Sequence, residues 1–423
     1  MTSSIFYAII AILFFNYLFS FFLEKINLKN KPIHLPEIIS DIYDKEDYHK
    51  QQLYEVEKSK LSIIEMSVSS ILIIVLFSLK GFGTLQVIVS NITQNQILQT
   101  LIYFGILSFC SLIFSLPFSY YDKFIIEEAY GFNKSTKKLF WIDTLKGVLL
   151  TSILGGVILG IISWLYLFNP SIFWITALIV ILVFSLLMNA LYSTVILPLF
   201  NKKTLLSEGE LKDKVINFAQ NIGFSINNIY LIDGSKRSSK ANAFFTGFGR
   251  KKRIFLYDTL TNKLTDDEIL AVLAHELGHY KKNHIWINLG IGMVQSALFL
   301  YLFGIFSQSS TLTEVMGVGG NISIFYLNAI CFVLLINPIQ TILGILMNFL
   351  SRKMEYSADK FASSKGMANS LVSALKKLAS INYSNLTPHP FYVLVNYSHP
   401  PIYNRIRALM IDSKNVESSN AHE

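Results

Sequence analysis

The sequence predicts a mainly α-helical, polytopic membrane protein with about seven spans and a small α+β unit assembled from two polar segments. Hydrophobic residues make up 52% of the 423 positions and charged residues only 15%, which is too apolar for an ordinary soluble domain. Apolar runs of bilayer length recur along the chain. The connections between them alternate between strongly basic and nearly uncharged, the pattern left by orientation in a membrane.

The runs are Ile5 to Leu23, Ser62 to Leu79, Leu98 to Phe118, Val148 to Phe168, Ile172 to Leu199, Ile285 to Phe306 and Ile322 to Leu350. The first lacks a basic n-region and a small-residue cleavage site, so it reads as a retained span and not a signal peptide. Lys25, Lys29, Lys31, Lys45, Lys50, Lys58 and Lys60 lie between spans one and two, and Lys123, Lys134, Lys137, Lys138 and Lys146 between three and four. Gly81 to Gln96, Asn169 to Ser171 and Gln308 to Asn321 hold no Lys or Arg. The basic side is expected to be cytoplasmic, with the N-terminus outside or lumenal and the C-terminus inside. A bacterial inner membrane and the endoplasmic reticulum both fit. Spread over membrane-flanking loops, the net charge of +8 points to the lipid bilayer and to no nucleic-acid partner. Cys110 and Cys331 fall inside spans and give no disulfide framework.

Four divisions are expected: spans one to five over 1–200, a polar segment over 201–284, spans six and seven over 285–350, and a second polar segment over 351–423. The first polar segment opens with a helix, Leu211 to Ile222, stopped by Gly223. Strand-like runs follow at Ile229 to Ile232, Ala243 to Phe248 and Arg253 to Tyr257, the last two joined by a turn at Gly249 to Lys252. Thr265-Asp266-Asp267-Glu268 then reads as a capping box at the start of a further helix.

That helix carries His275-Glu276-Leu277-Gly278-His279. Two histidines at i and i+4 share one helical face and can meet one metal ion, with Glu276 beside it as general base for an attacking water. A catalytic zinc site takes three protein ligands, and no third histidine follows at the spacing of extended zinc motifs. Glu355 is the candidate, in Glu355-Tyr356-Ser357-Ala358-Asp359, where two carboxylates at i and i+4 let one bind metal while the other fixes a ligand imidazole. Stepping back from Glu355, Ser351, Asn348, Gly344, Gln340 and Asn337 line one face of span seven. Such a face turns away from lipid, either onto a polar space or onto neighbouring helices through hydrogen bonds. Glu65, near the start of span two, is either a chamber-lining carboxylate or one that snorkels to the interface.

Together with Ala241 to Phe248 and Tyr397-Ser398-His399-Pro400-Pro401-Ile402-Tyr403-Asn404-Arg405-Ile406, these motifs make the chain resemble the type I CAAX prenyl endopeptidases, integral membrane zinc proteases. The resemblance implies one zinc ion held by His275, His279 and Glu355, Glu276 as base and then proton donor, and Asp359 behind a ligand imidazole. His399 would stabilise the developing oxyanion, Asn242 would align the substrate backbone, and Arg405 would orient His399 or Asp359 or meet a substrate carboxylate. It also implies a large polar chamber among the spans and C-terminally prenylated peptide or protein substrates ending in Cys-a-a-X. Two alternatives stay open: a membrane-protein quality-control protease with no prenyl requirement, and a transporter with a structural zinc site.

Overall fold

A computed structural model describes residues 2–32, 35–224, 228–246 and 253–420, with side chains to residue 412. Among the described residues, seven helices are long and apolar enough to cross a membrane: α1 (Thr2–Lys29), α2 (Lys45–Ser78), α4 (Gln96–Ala129), α5 (Lys137–Phe168), α6 (Phe173–Phe200), α9 (His284–Phe306) and α11 (Phe325–Ser363). They coincide with the seven runs expected from sequence. Two connections that read as loops hold the short helices α3 (Gly81–Ile92) and α10 (Ser310–Val315). α11 runs uninterrupted through Pro338.

Fully buried side chains on the spans occur at two levels only. At one end Ile9, Phe77, Tyr103, Tyr166, Phe173, Phe303 and Phe325 join a single apolar cluster with α3 and α10. At the other, the first buried residues are Leu23, Ser59, Ile126, Phe140, Ser193, His284 and Glu355. Between the two levels no described span residue is fully buried. A close-packed bundle buries one stripe of every helix along its whole length, so between the two levels these spans meet neighbours, as Asn16 of α1 meets Asn337 of α11 at 2.8 Å and Tyr17 meets Ser67 of α2 at 3.2 Å, without forming a buried core.

The polar segments fold into one packed unit. A four-stranded sheet of order β1-β2-β4-β3 comprises β1 (Lys203–Leu205), β2 (Asn228–Ile232), β3 (Ala243–Thr246) and β4 (Arg253–Tyr257). β2 and β4 run parallel; β3 pairs antiparallel with β4, Ala243 opposite Leu256 and Thr246 opposite Arg253. The hairpin pairing is thus as the sequence predicts, and its turn at Gly249 to Lys252 lies outside the described residues. α7 (Glu210–Asn221), α8 (Asp266–Lys281) and α12 (Ala368–Ile381) pack on this sheet. α13 (Pro390–Asn396) and α14 (Ile402–Asn420) complete the C-terminal segment.

α8 begins as its sequence dictates: Thr265 Oγ1 accepts from the Glu268 N–H at 3.4 Å, and the Glu268 carboxylate accepts from the Thr265 N–H at 2.8 Å. Glu268 is buried, and Ser373 and Lys377 of α12 also donate to it, so the cap doubles as a joint between the polar segments. α8 crosses α11 at Gly278, where a Cβ would sit 3.0 Å from Ala358 Cα and 3.2 Å from Phe361 Cβ. A side chain there would force the neighbouring backbone of α11 to give way by a few tenths of an ångström.

Overpacking this crossing with Gly278→Ala should destabilise the protein by about 1–3 kcal/mol. Gly290→Ala on α9, where nothing lies within 4 Å, is the control. The comparison is thermal unfolding of the detergent-solubilised protein; equal midpoints for the two variants would mean that the crossing is not tight.

Candidate metal centre

The α8–α11 crossing brings His275 and His279 of one helix against Glu355 and Asp359 of the other. His275 Nε2 lies 3.2 Å from His279 Nε2 and 3.5 Å from Glu355 Oε2, and His279 Nε2 lies 3.2 Å from Glu355 Oε1. Three donors around a tetrahedral metal at about 2.1 Å stand about 3.4 Å apart. The separations therefore fit a common first-row ion without rearrangement. The charges fit as well: buried Glu355 and Asp359 face one buried guanidinium, Arg405, leaving net negative charge that suits a dication. Among the described residues no side chain is assigned a hydrogen bond to Glu355 Oε2, with His399 Nδ1 2.9 Å away at the cluster's mouth, so this buried oxygen is open to a metal.

The imidazoles are oriented from behind. His275 Nδ1 lies 2.8 Å from Asp359 Oδ1; with its proton there, Nε2 presents a lone pair to the shared point. Arg405, from α14, forks onto the same carboxylate through Nε at 2.9 Å and Nη2 at 2.6 Å. Of the three placements open to Arg405, the structure has it on Asp359, buried, with Nη1 3.7 Å from Glu355. Glu276 is half-buried, next to His275 and three residues before His279. Burial pushes its carboxyl above the ordinary glutamate range despite the opposing pull of His275 and His279, toward the range a general base uses.

His399 lies at the mouth of the cluster, 66% exposed. Asn242 stands apart, exposed at the entry to β3, its Oδ1 accepting from the Ala243 N–H at 2.9 Å and its carbonyl from the Tyr257 N–H at 3.2 Å. β3 ends the sheet order, so its outer edge pairs with no described strand, and it packs beside α8. Asn382, at the end of α12, holds this entry by accepting from the Ala241 N–H at 3.1 Å.

Sequence reasoning missed Asn382 and also His284. The latter was set aside because its spacing from His279 does not suit a ligand. Asn283 adopts φ 58°, a left-handed conformation that Asn tolerates, and this ends α8 and folds the next residue back. His284 is buried, with Nδ1 2.9 Å from His279 Nδ1. For His279 to offer Nε2, its Nδ1 carries the proton and His284 Nδ1 accepts it. The signal available in the sequence was Asn283 itself.

Replacing His284 with Leu should weaken divalent-metal binding about 10- to 100-fold, measured by competition with a chromophoric chelator, whereas Asn, which keeps an acceptor, should retain most of the affinity. Unchanged affinity in the Leu variant would show that His279 needs no such partner.

Comparison with known proteins matches two family models. Residues 24–202 match the CAAX prenyl protease N-terminal model of five membrane helices, and residues 205–411 match peptidase family M48. The chain is 34% identical to CAAX prenyl protease 1 of Saccharomyces cerevisiae over 400 residues, covering 89% of this chain and 88% of the relative. It is 30% identical to the human CAAX prenyl protease 1 homolog over 429 residues, covering 89% and 88%. The crystal structure of S. mikatae Ste24p superposes with a TM-score of 0.89 at 32% identity, covering 96% of this chain and 98% of that one. The family implies a bound metal, and the donor set described above fits one. With most of its length matched in both sequence and fold, the chain belongs to peptidase family M48, as a multi-pass membrane metalloendopeptidase acting on peptides or proteins.

Proposed function

We propose that the metal is zinc, held by His275, His279 and Glu355, and that the enzyme cleaves near the C-terminus of prenylated Cys-a-a-X substrates. The convergence of two imidazoles and one carboxylate at tetrahedral separations carries the zinc reading. The names of the relatives, CAAX prenyl protease 1 and its homologs, support the substrate.

Zinc would supply a Lewis acid for the scissile carbonyl and acidify water to a pKa of about 7. Glu276, whose raised pKa suits the exchange, takes a proton from the attacking water and returns it to the leaving amine. His399, exposed beside Glu355, donates to the oxyanion that develops on the carbonyl. Asp359, itself held by Arg405, fixes the His275 tautomer. The unpaired edge of β3 accepts the substrate as an added strand, with Asn242 aligning its backbone at the strand's entry.

The lack of a buried core among the described span residues between their two packed levels supports a polar chamber that opens toward the metal centre. On α11, Asn337 accepts from Asn16 at 2.8 Å and Asn348 donates to the Val395 carbonyl at 2.6 Å. Part of the polar stripe thus joins neighbouring chain segments instead of facing open space. The alternation of basic and uncharged connections supports a cytoplasmic side for the metal unit, and prenylated substrates favour the endoplasmic reticulum among membranes.

Replacing Glu276 with Gln should leave one zinc per chain and remove cleavage. The measurement is mass spectrometry of prenylated and unprenylated Cys-a-a-X peptides incubated with wild-type and variant protein. Retained cleavage in the zinc-loaded variant would overturn the mechanism, and equal turnover of the two wild-type substrates would overturn the prenyl requirement.

A further inference from the structure

We propose that Arg352 is a positioning residue for His399, acting by gripping the chain just upstream of it. This rests on the role assigned to His399 above. Arg352 lies on α11 one turn before Glu355, and its guanidinium contacts main-chain carbonyls. Nη1 donates to the Val393 carbonyl at 3.0 Å and to the Tyr397 carbonyl, and both Nη1 and Nη2 reach the Leu394 carbonyl at 3.5 Å. Asn348, one turn earlier on the same face, takes the Val395 carbonyl. The Val393 carbonyl also accepts from the Tyr397 N–H at 3.1 Å, whereas the later carbonyls of α13, which lack such a partner within the helix, are met here by a cation and an amide from α11.

The consequence for His399 follows from chain connectivity. Two residues before it, Tyr397 is tied to Arg352. Just after it come Pro400 and Pro401, which restrict the backbone, and then Arg405, which forks onto Asp359. Arg352, Glu355 and Asp359 fall at i, i+3 and i+7 on one helix, so they share a face. His399 is therefore slung between two anchors on the same face of α11, and the metal-ligand candidate Glu355 lies between them. This is how a side chain that is 66% exposed sits with Nδ1 2.9 Å from Glu355 Oε2. Several carbonyls at different angles call for the planar five-donor fork of Arg; a Lys ammonium offers three donors from a single point.

A loosened His399 would misplace a donor that matters only as charge develops. Arg352→Gln should therefore lower kcat about 10- to 100-fold while KM stays within about threefold and metal content stays at one per chain. Arg352→Lys should recover only part of the loss. Asn348→Ala, which removes one carbonyl contact and leaves the fork, should show a smaller fall in kcat and serves if Arg352→Gln does not fold. The deciding measurement is a double-mutant cycle on the full-length, zinc-loaded enzyme with a Cys-a-a-X peptide. In a His399→Ala background, Arg352→Gln and Asn348→Ala should each cost little or nothing further. Full additivity, or a loss confined to KM or to metal content, would overturn the assignment. Wild-type kcat in His399→Ala alone would instead overturn the role of His399, and this proposal with it.

Discussion

The close crossing of α8 and α11 at Gly278 and Ala358 is the contact on which the rest depends. It sets two imidazoles from one helix against two carboxylates from the other, and the two helices are separated in sequence by α9, α10 and most of α11 itself. No local segment holds a complete site. The membrane helices close the loop that makes it, which explains why a small α+β unit is interrupted by two spans and not simply appended to them.

Packing so many charges together demands mutual compensation. Glu355, Asp359, Arg405 and His275 are all buried, and an unpaired charge in such a place would cost several kcal/mol. Asp359 is satisfied by Arg405 and His275, and Arg405 spends Nε and Nη2 on Asp359 while its Nη1 lies 3.7 Å from Glu355. The remaining negative charge is concentrated on Glu355, at the point where His275 and His279 converge. Structural and chemical roles divide cleanly: one carboxylate is held by protein donors alone, while the other keeps an oxygen free.

Much of this was legible in the sequence, because it rested on short-range rules. Bilayer-length apolar runs located all seven spans, the Thr265 to Glu268 pattern located the start of α8, and the i,i+4 spacing of Glu355 and Asp359 pointed to two carboxylates on one face. What escaped depended on contacts between distant elements. α3 is too short to cross a bilayer and opens on Gly81 and Gly83, which weaken a helix, and β1 has only three residues whose pairing with β2 comes from tertiary context. His284 reaches His279 only because the chain reverses at Asn283, and Arg352 meets its carbonyl partners only because α13 is brought against α11. The polar face of α11 was visible, but not that Asn337 and Asn348 spend their side chains on other segments. The lack of a buried core between the two levels left no mark on hydropathy, since lipid and a packed neighbour select similar residues.

The central claim is that one metal ion is shared between α8 and α11, and anomalous diffraction at the zinc edge tests it most directly. In crystals of the purified enzyme the account predicts a single anomalous peak about 2.0–2.2 Å from His275 Nε2, His279 Nε2 and a Glu355 oxygen. A peak ligated elsewhere, or one that keeps its place and full occupancy in Glu355→Ala, would contradict it.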